Sequence, residues 1–285
     1  MRGSHRTHIN HFLRSARALG RRPYRRAIAA STVVLLVGCS PGTGDPRSEA
    51  AASPEAALGD SLVDAWIDAA GGLRAWWEVS SARYTVTTVW FDSAGEVRRM
   101  RPRRVELRKM PDSEQARIER PEAEGLYVQV FTGDTAWATL NDAPLPEDHP
   151  AAVESEYVGR DVFYWFGLPY KLRDPGVNRR ARELPSGGYE LAVTFGDDVG
   201  VHPGDRYFYY FVDDDPYPEE VHYIEQDRES RSRTIWSGFG REGPLTYVIS
   251  RLYLDSAERR TKELRIDDVM INPTLTDSLF SPPGP

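Results

Sequence analysis

The apolar positions fall first into a helical rhythm and then into an alternating one. Val63, Trp66, Ile67 and Ala70 are spaced i, i+3, i+4, i+7, the stripe of an amphipathic helix. Asp60 reads as its N-cap and Gly71-Gly72 as its stop. A short second turn, Leu73 to Trp77, adds Trp76 and Trp77, which read as core. From residue 82 the texture is that of strands, rich in Tyr, Thr, Val and Trp. Candidate strands are Arg83–Phe91, Val97–Lys109, Gln115–Glu119, Leu126–Phe131, Thr135–Leu140, Tyr189–Phe195, Arg206–Val212, Glu220–Gln226, Thr234–Gly238, Thr246–Tyr253 and Leu264–Ile271. Val97–Lys109 carries many arginines, so one of its faces is expected to be wet. Thr132-Gly133-Asp134 and Asp213-Asp214-Asp215-Pro216 read as turns. Pro150 to Gly167 interrupts the strands with a helical stretch, which Leu168-Pro169-Tyr170 would end.

Strand following strand across short breaks implies an antiparallel sheet. The expected fold is α+β: a curved sheet of about ten to eleven strands forming an unclosed half-barrel, with two or three helices on its concave side. If the helices leave the barrel unfilled, a lined apolar cavity remains.

Charge changes the picture at the N-terminus. The chain has 285 residues and a formal net charge of −7, yet residues 1–38 hold eight arginines and no acidic residue. The basic head runs into twelve uncharged, mostly apolar residues, Ala27 to Gly38, which are too few to span a bilayer as a helix. They end at Cys39, the single cysteine. A basic head, a short apolar run and a small residue before the cut are the parts of a signal peptide. Leu36-Val37-Gly38-Cys39 resembles the bacterial lipobox, which implies diacylglycerol on the Cys39 thiol and cleavage before it. Ser40 follows where an Asp would signal inner-membrane retention, which favours the outer membrane facing the periplasm. Residues 39–58, rich in Pro, Gly, Ser and Ala, read as a flexible tether, and residues 59–285 as one domain. A chain beginning at Cys39 would carry 28 basic and 43 acidic residues. That balance argues against nucleic acid as partner and leaves the acyl anchor, not surface charge, to hold the membrane.

The order of signal, lipobox, spacer, helix, Gly-Gly and long strands broken by a helix resembles the LolA/LolB superfamily of lipoprotein carriers and lipid-binding lipoproteins. More closely, it is similar to that superfamily's uncharacterised lipoprotein members. The segments that carry the resemblance are Ala70-Gly71-Gly72-Leu73-Arg74-Ala75-Trp76, Leu168-Pro169-Tyr170-Lys171-Leu172-Arg173-Asp174-Pro175-Gly176 and Ile271-Asn272-Pro273-Thr274-Leu275-Thr276-Asp277-Ser278-Leu279-Phe280. The resemblance implies an unclosed barrel capped by helices, with an apolar cavity for acyl chains. An anchored chain departs from the soluble carrier, which has no lipid of its own.

No catalytic motif stands out, no cofactor is implied, and the chain reads as a binding protein rather than an enzyme. His149, His202 and His222 show no metal-ligand spacing. Trp236-Ser237-Gly238-Phe239-Gly240 lacks the leading glycine of a nucleophile elbow, and its glycines read as a bulge or strand end. Asp213-Asp214-Asp215 with Glu219 and Glu220 could gather oxygen ligands for Ca²⁺, but reads better as a solvated turn. The aromatic strands are more suggestive. Trp90, Tyr127, Phe208 and Tyr210 are the candidates for lining a ligand cavity. The expected function is binding of a lipid, or of lipoprotein acyl chains, for transport or sorting. The alternatives are an interaction or scaffolding lipoprotein with a packed core, and an envelope hydrolase using His202 or His222 beside a carboxylate.

Overall fold

The computed structural model describes residues 53–196, 199, 204–226 and 231–283. Helix α1 spans Pro54–Ala69 and α2 spans Gly72–Trp77. Six strands follow: β1 (Ser81–Phe91), β2 (Val97–Lys109), β3 (Glu114–Glu122), β4 (Gly125–Phe131), β5 (Ala136–Leu140) and β6 (Ala143–Pro144). Helices α3 (Pro150–Val153) and α4 (Ser155–Phe166) interrupt them. Then come β7 (Val177–Glu183), β8 (Tyr189–Phe195), β9 (Arg206–Phe211), β10 (Glu220–Ile224), β11 (Ser232–Glu242), β12 (Leu245–Leu254) and β13 (Arg260–Ile271). All thirteen strands belong to one sheet, ordered β6-β5-β4-β3-β2-β1-β13-β12-β11-β10-β9-β8-β7, antiparallel throughout. Its two ends do not pair, so the curved sheet remains an unclosed half-barrel with its helices on one face.

The sheet has thirteen strands where the sequence suggests ten to eleven. β6 is two residues long. β7 reads Val-Asn-Arg-Arg-Ala-Arg-Glu, and only Val177 and Ala181 are buried. As an edge strand it pairs with β8 alone, and its charged side chains discourage further pairing. Helix α1 also starts earlier than Asp60. Ser53 is its N-cap, accepting from Ala56 N at 3.3 Å, and Pro54 stands in the first turn, where its missing N–H costs nothing. Asp60 instead serves as an ion-pair partner, holding Arg173 at 2.7 Å and Arg179 at 2.8 Å. Burial would raise its carboxyl, but the two guanidinium groups hold it below the usual carboxylate range.

The end of α1 is built as Gly71-Gly72 suggests. Gly71 has φ +120, and a Cβ there would lie 2.1 Å from the Pro244 carbonyl oxygen. The last carbonyls of the helix are met by side chains and by the sheet. Tyr217 Oη donates to Ala69 O at 2.7 Å, and Ala70 O accepts from Tyr170 Oη at 2.7 Å and from Thr246 N at 3.0 Å. Trp76 is buried and stacks flat on Tyr170, centroids 4.9 Å apart, whereas Trp77 is exposed. Two of the three resembling segments therefore meet in one joint. The third ties the chain's end to β1: Asn272 Oδ1 accepts from Ser80 N at 2.7 Å, and Phe280 packs with Val128 and Val130 on the outer face.

The core lies between the sheet and its helices. Trp66 of α1 meets Tyr209, Phe211 and Trp236, with ring centroids 5.5–5.9 Å away. Phe166 of α4 stacks on Tyr84 at 4.7 Å, and Tyr84 Oη donates to Val162 O. The outer face is polar, as the arginines of β2 suggest. There Glu106 is bracketed by Arg83, Arg104 and Arg117.

Candidate functional site

The aromatic strands divide their side chains between the two faces. On β9, Tyr207, Tyr209 and Phe211 face the helices; Tyr209 is fully buried. Phe208 and Tyr210 project from the opposite face. Arg231 lies 4.3 Å over the Phe208 ring, and Tyr210 Oη donates to Glu190 at 2.8 Å. Trp90 and Tyr127 follow the helix-facing parity, but both are half-buried near the rim of the sheet. Arg99 lies 5.4 Å from the Trp90 ring, and Tyr127 stacks on His149 at 6.2 Å. Leu36, Val37, Gly38, Cys39 and His202 lie outside the described residues.

Two openings on the helix-facing side are small. An opening bordered by Trp165, Trp236, Arg251 and Ile266 measures about 10 Å³, as does one between α4 and β1–β2 near Trp76 and Lys109. Each has room for about one water.

One part of this face is not apolar. Arg103 of β2, Arg251 of β12 and Lys262 of β13 converge under α4 on Asp161. The register explains the convergence. Val86 pairs with Arg103 and Ile266, Trp90 pairs with Lys262, and Leu264 pairs with Arg251, so all three cations share the face of Tyr84 and Val86. Trp165 Nε1 donates to Asp161 at 2.8 Å. Arg251, 5% exposed, lies 4.7 Å from the Trp165 ring, and Lys262 lies 4.0 Å from the Tyr253 ring. Among the described residues, none of the three cations has a carboxylate within ion-pair distance. Arg103 Nε, Arg251 Nη1 and the neighbouring Trp236 Nε1 are buried without an acceptor. Each such donor costs about 1–3 kcal/mol.

The electrostatics follow from enclosure. Burial pushes the Asp161 carboxyl up, against the pull of Arg103, Arg251 and the Trp165 indole. Burial lowers Lys262 to about 8; Arg251 and Arg103 add to this and Asp161 opposes it. Below pH 8 Lys262 is charged in both folded and unfolded chains, and the penalty of enclosing it is felt in full. Between pH 8 and the unfolded value of 10.5 the native state loses its proton first, so stability from this group rises with pH. Lys262→Met is therefore expected to stabilise the domain at pH 7 by about 1–2 kcal/mol, after discounting for partial exposure. The gap to wild type should close as pH approaches 10.5. Paired urea titrations at both pH values check this; a gap independent of pH would refute it.

His222 does stand beside a carboxylate. Its Nε2 contacts Glu220, which Arg233 grips through two contacts of 2.7 Å. The pair lies on the outer face of β10, with Tyr210 against the imidazole, and borders neither opening described above. Arg233 holds Glu220 below the usual carboxylate range against the opposing effect of burial. The acidic turn is tied into the backbone: Asp213 Oδ1 accepts from Gly188 N at 2.8 Å and Asp215 Oδ1 from Tyr217 N at 2.9 Å. Gly238 sits inside β11 with φ +69. No group of three or more His, Cys, Asp or Glu is arranged around a metal position among the described residues.

The cation cluster has no counterpart among the sequence candidates. Arg103 and Asp161 stand far from each other and from Arg251 and Lys262 in the chain. The one local signal is Arg251, a lone charge inside the strand Leu-Thr-Tyr-Val-Ile-Ser-Arg-Leu-Tyr-Leu.

Comparison with solved structures gives the fold. The chain is similar to a DUF1329 family protein from Desulfovibrio piger ATCC 29098, with TM-score 0.50 and 11% identity over 78% of this chain and 97% of that one. A domain named for outer-membrane lipoprotein sorting, from Vibrio parahaemolyticus, gives TM-score 0.49 and 10% identity over 79% and 97%. A LolA superfamily protein from Nitrosomonas europaea gives 0.49 and 10% over 78% and 97%. No family model matches the chain, and no curated protein matches it in sequence.

Proposed function

We propose that this chain is a cell-envelope lipoprotein, anchored through Cys39 in the outer membrane facing the periplasm. In this reading it binds lipid or lipoprotein acyl chains on the helix-covered face of its half-barrel, for transport or sorting. One observation carries the reading. The inner face of an unclosed sheet is lined with Tyr84, Tyr207, Tyr209, Phe211 and Trp236, and its cover consists of single helices rather than a second sheet. Openings of about 10 Å³ do not admit an acyl chain. Uptake therefore requires α4 to part from the sheet, with the ligand replacing the contacts the helix gives up, since α1 is tied at its C-terminal end by Tyr170, Tyr217 and Thr246. Each CH₂ buried contributes about 0.8 kcal/mol against that cost.

Native mass spectrometry of the domain extracted from membranes, together with titration of a fluorescent fatty acid, tests the reading. Co-purified lipid or saturable uptake is the expected result. A domain that purifies empty and takes up no probe at micromolar concentration would sink it. The packed interior favours a second reading, a scaffolding lipoprotein with a filled core. That reading expects no uptake and a protein partner retained on the immobilised domain.

A further inference from the structure

We infer that Arg103, Arg251 and Lys262 form a binding site for a small oxyanion of the phosphate or carboxylate class, either free or as the headgroup of an amphiphile. The inference goes beyond the acyl-chain reading and does not require it, because a free anion would use the same groups.

The contrast with the rest of the sheet is the first argument. Elsewhere on the sheet, three carboxylates each gather arginines at ion-pair distance, whereas the arginines left without acid among the described residues, such as Arg98, Arg180 and Arg206, are exposed. Glu106 meets Arg83, Arg104 and Arg117; Glu122 meets Arg99, Arg101 and Arg120; Glu263 meets Arg260 and Arg265. Under α4 three cations face Asp161, and among the described residues none approaches a carboxylate to ion-pair distance. Enclosing charge is costly unless it is paired, so this surplus marks a place where negative charge is missing.

The second argument is directional. Arg251 is 5% exposed and borders the opening near Trp165 and Trp236. Its Nη1 and the Trp236 Nε1 are donors without acceptors, as is Arg103 Nε. An oxyanion accepts several such bonds at once, and a guanidinium presents its N–H groups as a planar fork suited to that geometry. A water molecule could satisfy one or two donors but would leave the charge unanswered. The opening is bordered by apolar rings as well, so the tail of an amphiphile could lie beside Trp165 and Ile266 while its head met Arg251. The present volume suits a water, and an anion would enter as the α4 side chains shift outward.

Lys262 supplies a readout that does not depend on any variant. It is faced by Asp161 from α4, by Arg103 from β2, and by Arg251 and the Tyr253 ring from β12. An anion placed among these groups stabilises its ammonium form, so binding near pH 8 takes up a proton.

Calorimetric titration of the full chain with inorganic phosphate, dihexanoylphosphatidate and dihexanoylglycerol is the test. Saturable binding of phosphate or the phosphatidate in the millimolar range or tighter is expected. At pH 8 its heat should depend on the buffer's ionisation enthalpy. Arg251→Gln and Lys262→Met, checked for folding by circular dichroism, should each weaken it about tenfold or more. A phosphatidate that binds at least tenfold tighter than phosphate identifies a lipid headgroup; equal affinities identify a free anion. Binding of dihexanoylglycerol alone supports the acyl-chain reading and overturns this one. Absence of anion binding to the wild-type chain, or binding unchanged in both variants, also overturns it.

Discussion

Trp66→Ala is expected to cost about 3–5 kcal/mol of stability, the range for truncating a large aromatic in a close-packed core. Trp66 is 2% exposed and is the point at which α1 meets the far half of the sheet. Its ring touches Tyr209 of β9, Phe211 of β9 and Trp236 of β11, three aromatics that cannot all move into the space it leaves. The C-terminal anchoring of α1 by Tyr170, Tyr217 and Thr246 fixes the helix axis, so the helix cannot settle inward to close the void. For a domain of this size each kcal/mol lowers Tm by about 2–4 °C. Urea and thermal unfolding followed by circular dichroism measure the loss. A cost below about 1 kcal/mol would mean that α1 is loosely held. That outcome would suit a helix which lifts to admit a ligand, so the measurement bears on the mechanism of uptake as well as on the core.

Much of this packing is legible in the order of residues alone. Val63, Trp66, Ile67 and Ala70 form a helical stripe because one face of α1 must meet a sheet, and all four are buried. Strands such as β1 and β8 announce themselves through alternation and β-branched residues. The strands absent from the sequence reading lack that signal. β7 has only two buried positions, and β6 is set by a turn rather than by a pattern. Side-chain parity is harder to read. In Tyr-Phe-Tyr-Tyr-Phe, residues 207 to 211, every position is aromatic, so hydrophobicity alone does not say which set faces inward. Register with β10 does, through Tyr209 opposite Val221. The site is less legible still. A run of arginines in β2 reads as a wet face, and most of it is one. Arg103 differs from Arg104 only in parity, and its partners Arg251 and Lys262 arrive from strands near the other end of the chain. A cluster that joins Arg103 of β2 to cations of β12 and β13 across β1 leaves no local motif.

Asp161→Asn is expected to stabilise the domain at pH 7, because burial outweighs the pull of Arg103, Arg251 and Lys262 and holds the carboxyl above its usual range, so the folded chain pays to keep it ionised. The substitution keeps the side chain's shape, and the Asn carbonyl can still accept from Trp165 Nε1, so the change isolates charge from packing. Lys262→Met should stabilise more in this background than in the wild type, since Lys262 has then lost the carboxylate that opposes its desolvation; the coupling between the two sites should exceed about 0.5 kcal/mol. Urea midpoints of the wild type, both single variants and the double variant close the cycle. A midpoint lowered in Asp161→Asn would show that the three cations hold the carboxylate more strongly than burial opposes it, and the site would then have less surplus charge to offer a ligand. The same variant sharpens the oxyanion inference. With the carboxylate gone, an incoming phosphate meets three cations and no repulsion from Asp161. Added phosphate should therefore raise the urea midpoint of Asp161→Asn more than that of the wild type, whereas sodium chloride at equal ionic strength should shift the two alike.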